Sequence, residues 1–276
     1  MHDVKKMKLY HNPKRIYNEL EASGLNKDTA LKVQDLSPFD QYHYFGTDSV
    51  DDAITSLNIS SENTILEIGS GIGGPARYIA EETGCHVTAL ELQPELNDIA
   101  VDLTERCGLS QLVNHVCGDI LKFNQENTNF DYVVSWLTFL HIPDRNTLLN
   151  KCNSILKLGG KIFIDDYYKR NEFEEEELKV LANDVSCNYL PTKDEYKKQL
   201  IKSGFNEIKI IDKTYSWKNF VKERKERFIQ NSESQIEIHN KEIVDDLEDF
   251  FSKVSWLFDH GNLGGLRIIA KKRGKI

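Results

Sequence analysis

Four glycines in six positions, Gly69 to Gly74, follow an apolar run that carries an acid, Glu67. Residues of these types at this spacing could hold a nucleoside. Gly69, Gly71 and Gly73 can adopt positive φ and lack a Cβ, so the chain can turn sharply and press its main-chain N–H groups, with that of Ser70, against a ligand. Glu91 lies 22 residues after Gly69 (91 − 69), where a carboxylate can accept both hydroxyls of a ribose. Glu67 stands before the turn, where it would repel a pyrophosphate but suits an ammonium group. Asp119 follows a later apolar run and could meet an adenine amino group.

These side chains need a particular scaffold. The stretch from Thr64 reads as a strand feeding the turn, Ala76 to Gly84 as a short helix stopped by glycine, and His86 to Leu92 as a β-branched strand ending at Glu91. Cys117 to Leu121 closes a third strand. Phe130 to Asp144 reads as a fourth strand running into an active-site loop, and Leu156 to Tyr168 as a helix end, a turn and a fifth strand. Thr192 is the expected N-cap of a helix before a sixth strand, Asn206 to Thr214. Trp217 to His260 reads as two charged helices, and His260 to Lys272 as a glycine turn and a final strand.

With these motifs in order, residues 60–170 resemble the class I S-adenosylmethionine-dependent methyltransferases. EIGSGIGG matches the first motif of that family, VTALE the acid of its second strand, GDIL its third motif, and ILKLGGKIFIDD the glycine turn before its fifth strand. The resemblance implies a doubly wound, Rossmann-like α/β fold with a seven-stranded sheet and an antiparallel strand seven. It further implies that Glu67 and the backbone of Gly69, Ser70, Gly71 and Gly73 hold the methionine part. Glu91 and Leu92 would take the ribose, Asp119 and Ile120 the adenine, and Ser135 the floor beside the sulfonium. The cofactor would be S-adenosylmethionine, leaving as S-adenosylhomocysteine.

Three regions outside the shared core could recognise a methyl acceptor. Residues 1–58 are expected to form a helical lid, and the rest, 59–276, the catalytic domain, with acceptor-binding helices at about 168–260. The lid segment LSPFDQYHYFGTDSVDDAI resembles that of phosphoethanolamine and of glycine, sarcosine and dimethylglycine methyltransferases, which places Tyr42 and Tyr44 over the transfer centre. In the loop from Ser135 to His141, His141 coincides with the active-site histidine of those relatives, while their aspartate is replaced by Leu137. His141 could still be a general base or orient the acceptor; a structural histidine fits as well. Trp136, Leu137 and Phe139 would make an apolar, cation-accepting pocket. Tyr167 and Tyr189 match phosphate-contacting tyrosines, but the arginine before the second is absent. A phosphate clamp would then need Lys169, Arg170 or Lys193.

Composition narrows the field. A net charge of −9 argues against a nucleic-acid partner. The basic stretch Lys222 to Arg227 alternates with Glu223 and Glu226, as a solvated helix face does. Five cysteines without CxxC spacing make a metal site or disulfide framework unexpected. No apolar run approaches about 18 residues, so no membrane span is expected, and a cytoplasmic setting is the default. No feature decides the oligomeric state. The favoured reading is an N-methyltransferase of a small amine or amino-acid-like metabolite. Methylation of carbon or oxygen on an apolar, sterol-like or isoprenoid-like metabolite stays open, as does a non-catalytic protein that binds S-adenosylmethionine.

Overall fold

The computed structural model describes residue 4, residues 7–123 and residues 129–274. Thr64–Ile68 forms β1 at the centre of a seven-stranded sheet of order β3-β2-β1-β4-β5-β7-β6. The other strands are His86–Glu91 (β2), Val113–Cys117 (β3), Phe130–Trp136 (β4), Leu156–Lys169 (β5), Phe205–Asp212 (β6) and Leu263–Lys272 (β7). Strands β1 to β5 pair in parallel, and β7 runs antiparallel between β5 and β6. The strand order reverses between β1 and β4. That reversal opens a crevice at the carboxyl ends of the two strands, where ligands of such sheets bind.

Both faces of the sheet are covered, so β1, β4 and β5 carry runs of consecutive buried residues rather than an alternation of buried and exposed ones. Leu66, Val133 and Ile162 point to one core, while Ile65, Val134 and Phe163 point to the other. The first core is closed by Arg145–Ile155 (α6) and Lys193–Lys202 (α8), the second by Gly46–Leu57 (α3) and Gly74–Thr83 (α4). Each fully buried aliphatic side chain contributes about 1.5–3 kcal/mol.

The helix signals read from the sequence have identifiable causes. Gly84 ends α4 in the left-handed conformation. Thr192 caps α8: its hydroxyl accepts from the Glu195 N–H at 3.2 Å, and the Glu195 carboxylate accepts from the Thr192 N–H at 2.7 Å. Glu175–Asn183 (α7) begins on three acids at the positive end of its dipole.

Other details differ from the sequence reading. The helix before strand five ends at Ile155, so the segment from Leu156 holds no helical turn. Instead β5 starts at Leu156 and bulges, advancing five residues (156 to 161) where β4 advances two (130 to 132). Gly160 permits this, because a Cβ there would lie 2.8 Å from the Asp131 carbonyl oxygen. Strand six stops at Asp212, whose carboxylate accepts from the Thr214 N–H at 2.8 Å and turns the chain into the next helix. Three helices, not two, then cross the sheet edge: Thr214–Gln230 (α9), Ser232–Ile238 (α10) and Lys241–His260 (α11). The extra break is made by Asn240, at φ 136°, whose side chain caps α11 by accepting from the Ile243 N–H at 3.0 Å.

The N-terminal residues pack over the glycine turn. Arg15–Ala22 (α1) and Val33–Asp40 (α2) bury Ile16, Leu20 and Leu36 against Ile72 and against Leu96, Ile99 and Leu103 of Pro94–Arg106 (α5). Met7 and Leu9 instead join a cluster built on α11. No described helix is long and apolar enough to cross a membrane.

Candidate active site

Two adjoining cavities open where β1 and β4 separate. The larger, about 260 Å³, is bordered by Gly71, Glu91, Leu92, Asp119, Ile120 and His141. The smaller, about 50 Å³, is bordered by Glu67, Ser70, Tyr42, His43, Trp136 and Leu137. Tyr10, Gly69, Gly71 and Thr138 border both.

The glycine turn has its shape because Gly69 sits at φ 75°, and a Cβ on it would lie 2.1 Å from the Thr138 hydroxyl oxygen. Thr138 is held there by Leu137, whose N–H donates to the Asp165 carbonyl oxygen at 2.8 Å from a left-handed φ of 52°. A left-handed bulky residue is rare and stores strain where two segments must meet closely.

Two carboxylates serve the cavities differently. Glu91 accepts from the N–H groups of Gly71 and Gln93, both at 2.9 Å, so its oxygens are fixed at the cavity wall. Burial raises its pKa and these two N–H groups oppose the rise. Glu67 is only 2% exposed, and its Oε2 has no partner among the described residues. Burial pushes its pKa up to about 8, against the pull of the Arg77 charge. A buried carboxyl with a free oxygen in a small cavity is built to receive a cation. The buried Ser70 hydroxyl beside it is also unpartnered.

The loop after β4 is fixed from below. Ser135 donates to the Ile68 carbonyl oxygen at 2.9 Å, tying β4 to β1 at the crevice floor. The Trp136 indole donates to Ser49 at 3.0 Å, and its ring stacks on His43 with centroids 5.5 Å apart. Phe139 is fully buried in the core behind the loop. His141 lies on the wall of the larger cavity, with Nδ1 3.3 Å from the Ser186 carbonyl oxygen. Burial lowers its pKa to about 4. The imidazole is therefore neutral at pH 7, with its proton assigned to Nδ1 and its lone pair on Nε2.

The tyrosines separate. Tyr42 borders the smaller cavity, and its hydroxyl is buried without a partner among the described residues. Tyr44 turns the other way, hydrogen-bonds the Tyr167 hydroxyl and packs edge-on to Trp217 at 5.1 Å. Tyr189 accepts from Gln199 at 3.0 Å and borders a different cavity, of about 400 Å³. The cations considered for a phosphate clamp are engaged elsewhere: Lys169 with Glu172 at 2.9 Å, Lys193 with Asp212, and Arg170 with the Gly261 carbonyl oxygen at 3.1 Å. Nor is the Lys222 to Arg227 stretch uniformly solvated. Lys222, Glu223 and Glu226 face out, but Arg224 lies against the Tyr44, Phe220 and Phe251 rings.

Tyr10, His43 and Thr138 border the site without a sequence signal of their own. They reach it through chain paths that only the fold defines.

Residues 66–164 match the family model described as a methyltransferase domain. This segment is a methyltransferase domain. A glycine/sarcosine/dimethylglycine N-methyltransferase of Actinopolyspora halophila is 31% identical over 156 residues, covering 56% of this chain and 28% of that protein. Phosphoethanolamine N-methyltransferase 1 of Zea mays is 27% identical over 202 residues, covering 73% of this chain and 40% of that protein. The chain thus spans between about a quarter and two fifths of the length of these relatives. Among solved structures, Haemonchus contortus phosphoethanolamine N-methyltransferase 2 superposes with a TM-score of 0.80 at 21% identity, over 94% of this chain and 60% of that one. It was solved with phosphomonomethylethanolamine and S-adenosylhomocysteine. The chain accordingly has the class I methyltransferase fold, with its antiparallel seventh strand.

Proposed function

We propose that the chain is an S-adenosylmethionine-dependent N-methyltransferase acting on a small amine metabolite. The observation that carries this reading is the free, buried Glu67 oxygen behind the glycine turn, adjoining a cavity bordered by Glu91 and Asp119. Those residues fit an ammonium-bearing nucleoside, and the named activities of the relatives support the same class.

In this reading Glu67 and the Gly69 to Gly73 backbone bind the methionine part. Glu91 beside Leu92 takes the ribose hydroxyls, and Asp119 with Ile120 the adenine. When bound, S-adenosylmethionine supplies a methyl group already activated on a sulfonium, so in-line displacement mainly requires positioning. Ser135 keeps the floor rigid by binding β4 to β1. Residues 7–58 act as the lid, presenting Tyr42 to the transfer centre, and helices between residues 168 and 260 complete the acceptor side. Trp136 and Leu137 exclude water, and Trp136 and Tyr42 offer ring faces to a methylated ammonium at about 0.5–2 kcal/mol per contact. The neutral Nε2 of His141 can accept a hydrogen bond from the N–H of the incoming neutral amine and so orient its lone pair. Tyr44, Phe139, Tyr167 and Tyr189 hold the acceptor-side framework. The five cysteines are unpaired, which suits a reducing compartment, and we place the enzyme in the cytoplasm.

The test is isothermal titration with S-adenosylmethionine and S-adenosylhomocysteine, followed by a methyl-transfer screen over glycine, sarcosine, phosphoethanolamine and sterols. Binding with transfer to at least one amine is expected. Binding without turnover on any amine would sink the reading.

A further inference from the structure

A fourth cavity, of about 330 Å³, lies between α1, α9 and α11 and shares Tyr42 with the smaller cavity that Glu67 borders. Arg15, Arg224 and Arg227 border it together with Tyr42. Among the described residues, the arginine ion pairs fall on Arg77, Arg106, Arg145 and Arg267, and the three cavity arginines have none. The acid on the same wall, Glu19, is committed to His239 Nε2 at 2.8 Å.

Arg15 stacks over the Tyr42 ring at 4.8 Å, and Arg224 over the Phe251 ring at 4.5 Å. These contacts hold the guanidinium planes without neutralising them. Among the described residues the Nε atoms of Arg15 and Arg224 and the Tyr42 hydroxyl are buried and without a partner, and the Arg224 guanidinium has the Tyr44 hydroxyl as a neutral hydrogen-bond partner. Arginine cannot shed its proton to escape burial, so the missing element is an acceptor with negative charge. An oxyanion meets that need, because it can take charge-assisted hydrogen bonds from a guanidinium and a phenol together.

We propose that this cavity binds the oxyanion, carboxylate or phosphate, of the amine that is methylated, with the nitrogen lying on the Glu67 side of Tyr42. The inference rests on the N-methyltransferase reading. It assigns the anionic end to α1 and α9, not to the segment after strand five, where Lys169, Arg170 and Lys193 already have partners.

The test uses the full chain saturated with S-adenosylhomocysteine. Inorganic phosphate and glycine are titrated calorimetrically into wild type, Arg15→Gln, Arg224→Gln, Arg227→Gln and the control Lys193→Gln. Kinetics then compare phosphoethanolamine with ethanolamine, and glycine with glycinamide. Arg224→Gln is expected to raise KM for the oxyanion-bearing amine about tenfold or more, the loss of one charged hydrogen bond, with kcat largely kept and the neutral amine unaffected. Phosphate or glycine binding should weaken in parallel, and the stronger of the two identifies the oxyanion. Arg227→Gln, at the exposed rim, repeats the test in a variant that disturbs no buried packing. Unchanged S-adenosylhomocysteine affinity certifies the fold of each variant. The proposal is overturned if neither anion binds wild type, if the arginine variants bind it as wild type does, or if Lys193→Gln alone loses it. Absence of turnover on every amine would defeat the N-methyltransferase reading, while the anion titrations would still decide the cavity.

Discussion

The Asp40 carboxylate meets the Arg77 guanidinium at 2.9 Å, with both side chains fully buried. Asp40 ends α2 of the N-terminal segment, and Arg77 belongs to α4, which rises from the glycine turn. The pair therefore clamps the proposed lid to the turn, and the Gly74 position, where a Cβ would lie 2.5 Å from the Asp40 carbonyl oxygen, lets the two backbones approach.

Removing one partner strands the other charge in the core. Asp40→Ala is expected to cost about 3–5 kcal/mol in urea unfolding, whereas the double variant Asp40→Leu with Arg77→Met should recover much of that loss. An equal loss in both variants would show that the pair has no such role.

Much of this site was readable in the chain, for reasons the structure makes plain. The glycine turn, Glu67, Glu91 and the presence of a final strand rest on local signals: backbone freedom, an acid at a strand end, and a glycine turn before an apolar run; the antiparallel direction of that strand is implied only by the family resemblance. Thr192 and Gly84 likewise announce helix boundaries by short-range hydrogen bonds. What was not readable depends on distant segments. Whether Tyr42 or Tyr44 faces the cavity is set by the pairing of Tyr44 with Tyr167, 123 residues away. Arg224 sits in a charge-alternating stretch that looks solvated, and only the aromatic residues brought in by the N-terminal segment and α11 turn it inward.

Gly69 should tolerate no side chain. Gly69→Ala would force a Cβ to 2.1 Å from Thr138 Oγ1 at a φ of 75°. A loss of about 1–3 kcal/mol in thermal or urea unfolding is expected, with S-adenosylhomocysteine binding weakened at least about tenfold. Thr138→Gly should relieve the clash and restore part of the stability of Gly69→Ala, a coupling that a double-mutant cycle would measure.

Glu67 should make cofactor affinity depend on pH. With a pKa near 8 in the free protein, it is largely protonated at pH 6.5, and an ammonium group favours its ionised form. S-adenosylmethionine binding should therefore strengthen from pH 6 to 8, up to about tenfold per pH unit, with a proton released on binding. Calorimetry in buffers of different ionisation enthalpy reads that proton directly. Stability of the free protein runs the opposite way: a raised carboxyl pKa favours the fold below its unfolded value, and the benefit fades as pH rises through about 8. Glu67→Gln should abolish both dependences, and a binding profile that stays steep in that variant would assign the proton elsewhere.

His141 carries the opposite sign. Its pKa in the folded protein is lowered to about 4 from an ordinary value of 6.5, because burial disfavours the imidazolium and the Arg145 charge adds to the effect, while the Ser186 carbonyl only partly offsets them. The fold therefore holds this imidazole neutral, and its contribution to stability is complete above pH 6.5 and is lost as pH falls through about 4. Nitrogen-15 NMR of the folded protein should find the Nδ1-protonated tautomer throughout pH 6 to 8, with no titration step in that window. In the same window the pH profile of kcat/KM should contain no inflection from His141, leaving the amine and Glu67 to shape it. His141→Gln, which cannot take a second proton, should flatten that part of the stability curve between pH 6.5 and 5 relative to wild type. A His141 resonance that titrates near 6.5 would place the ring in contact with water or a carboxylate, and would require the loop after β4 to be open in solution.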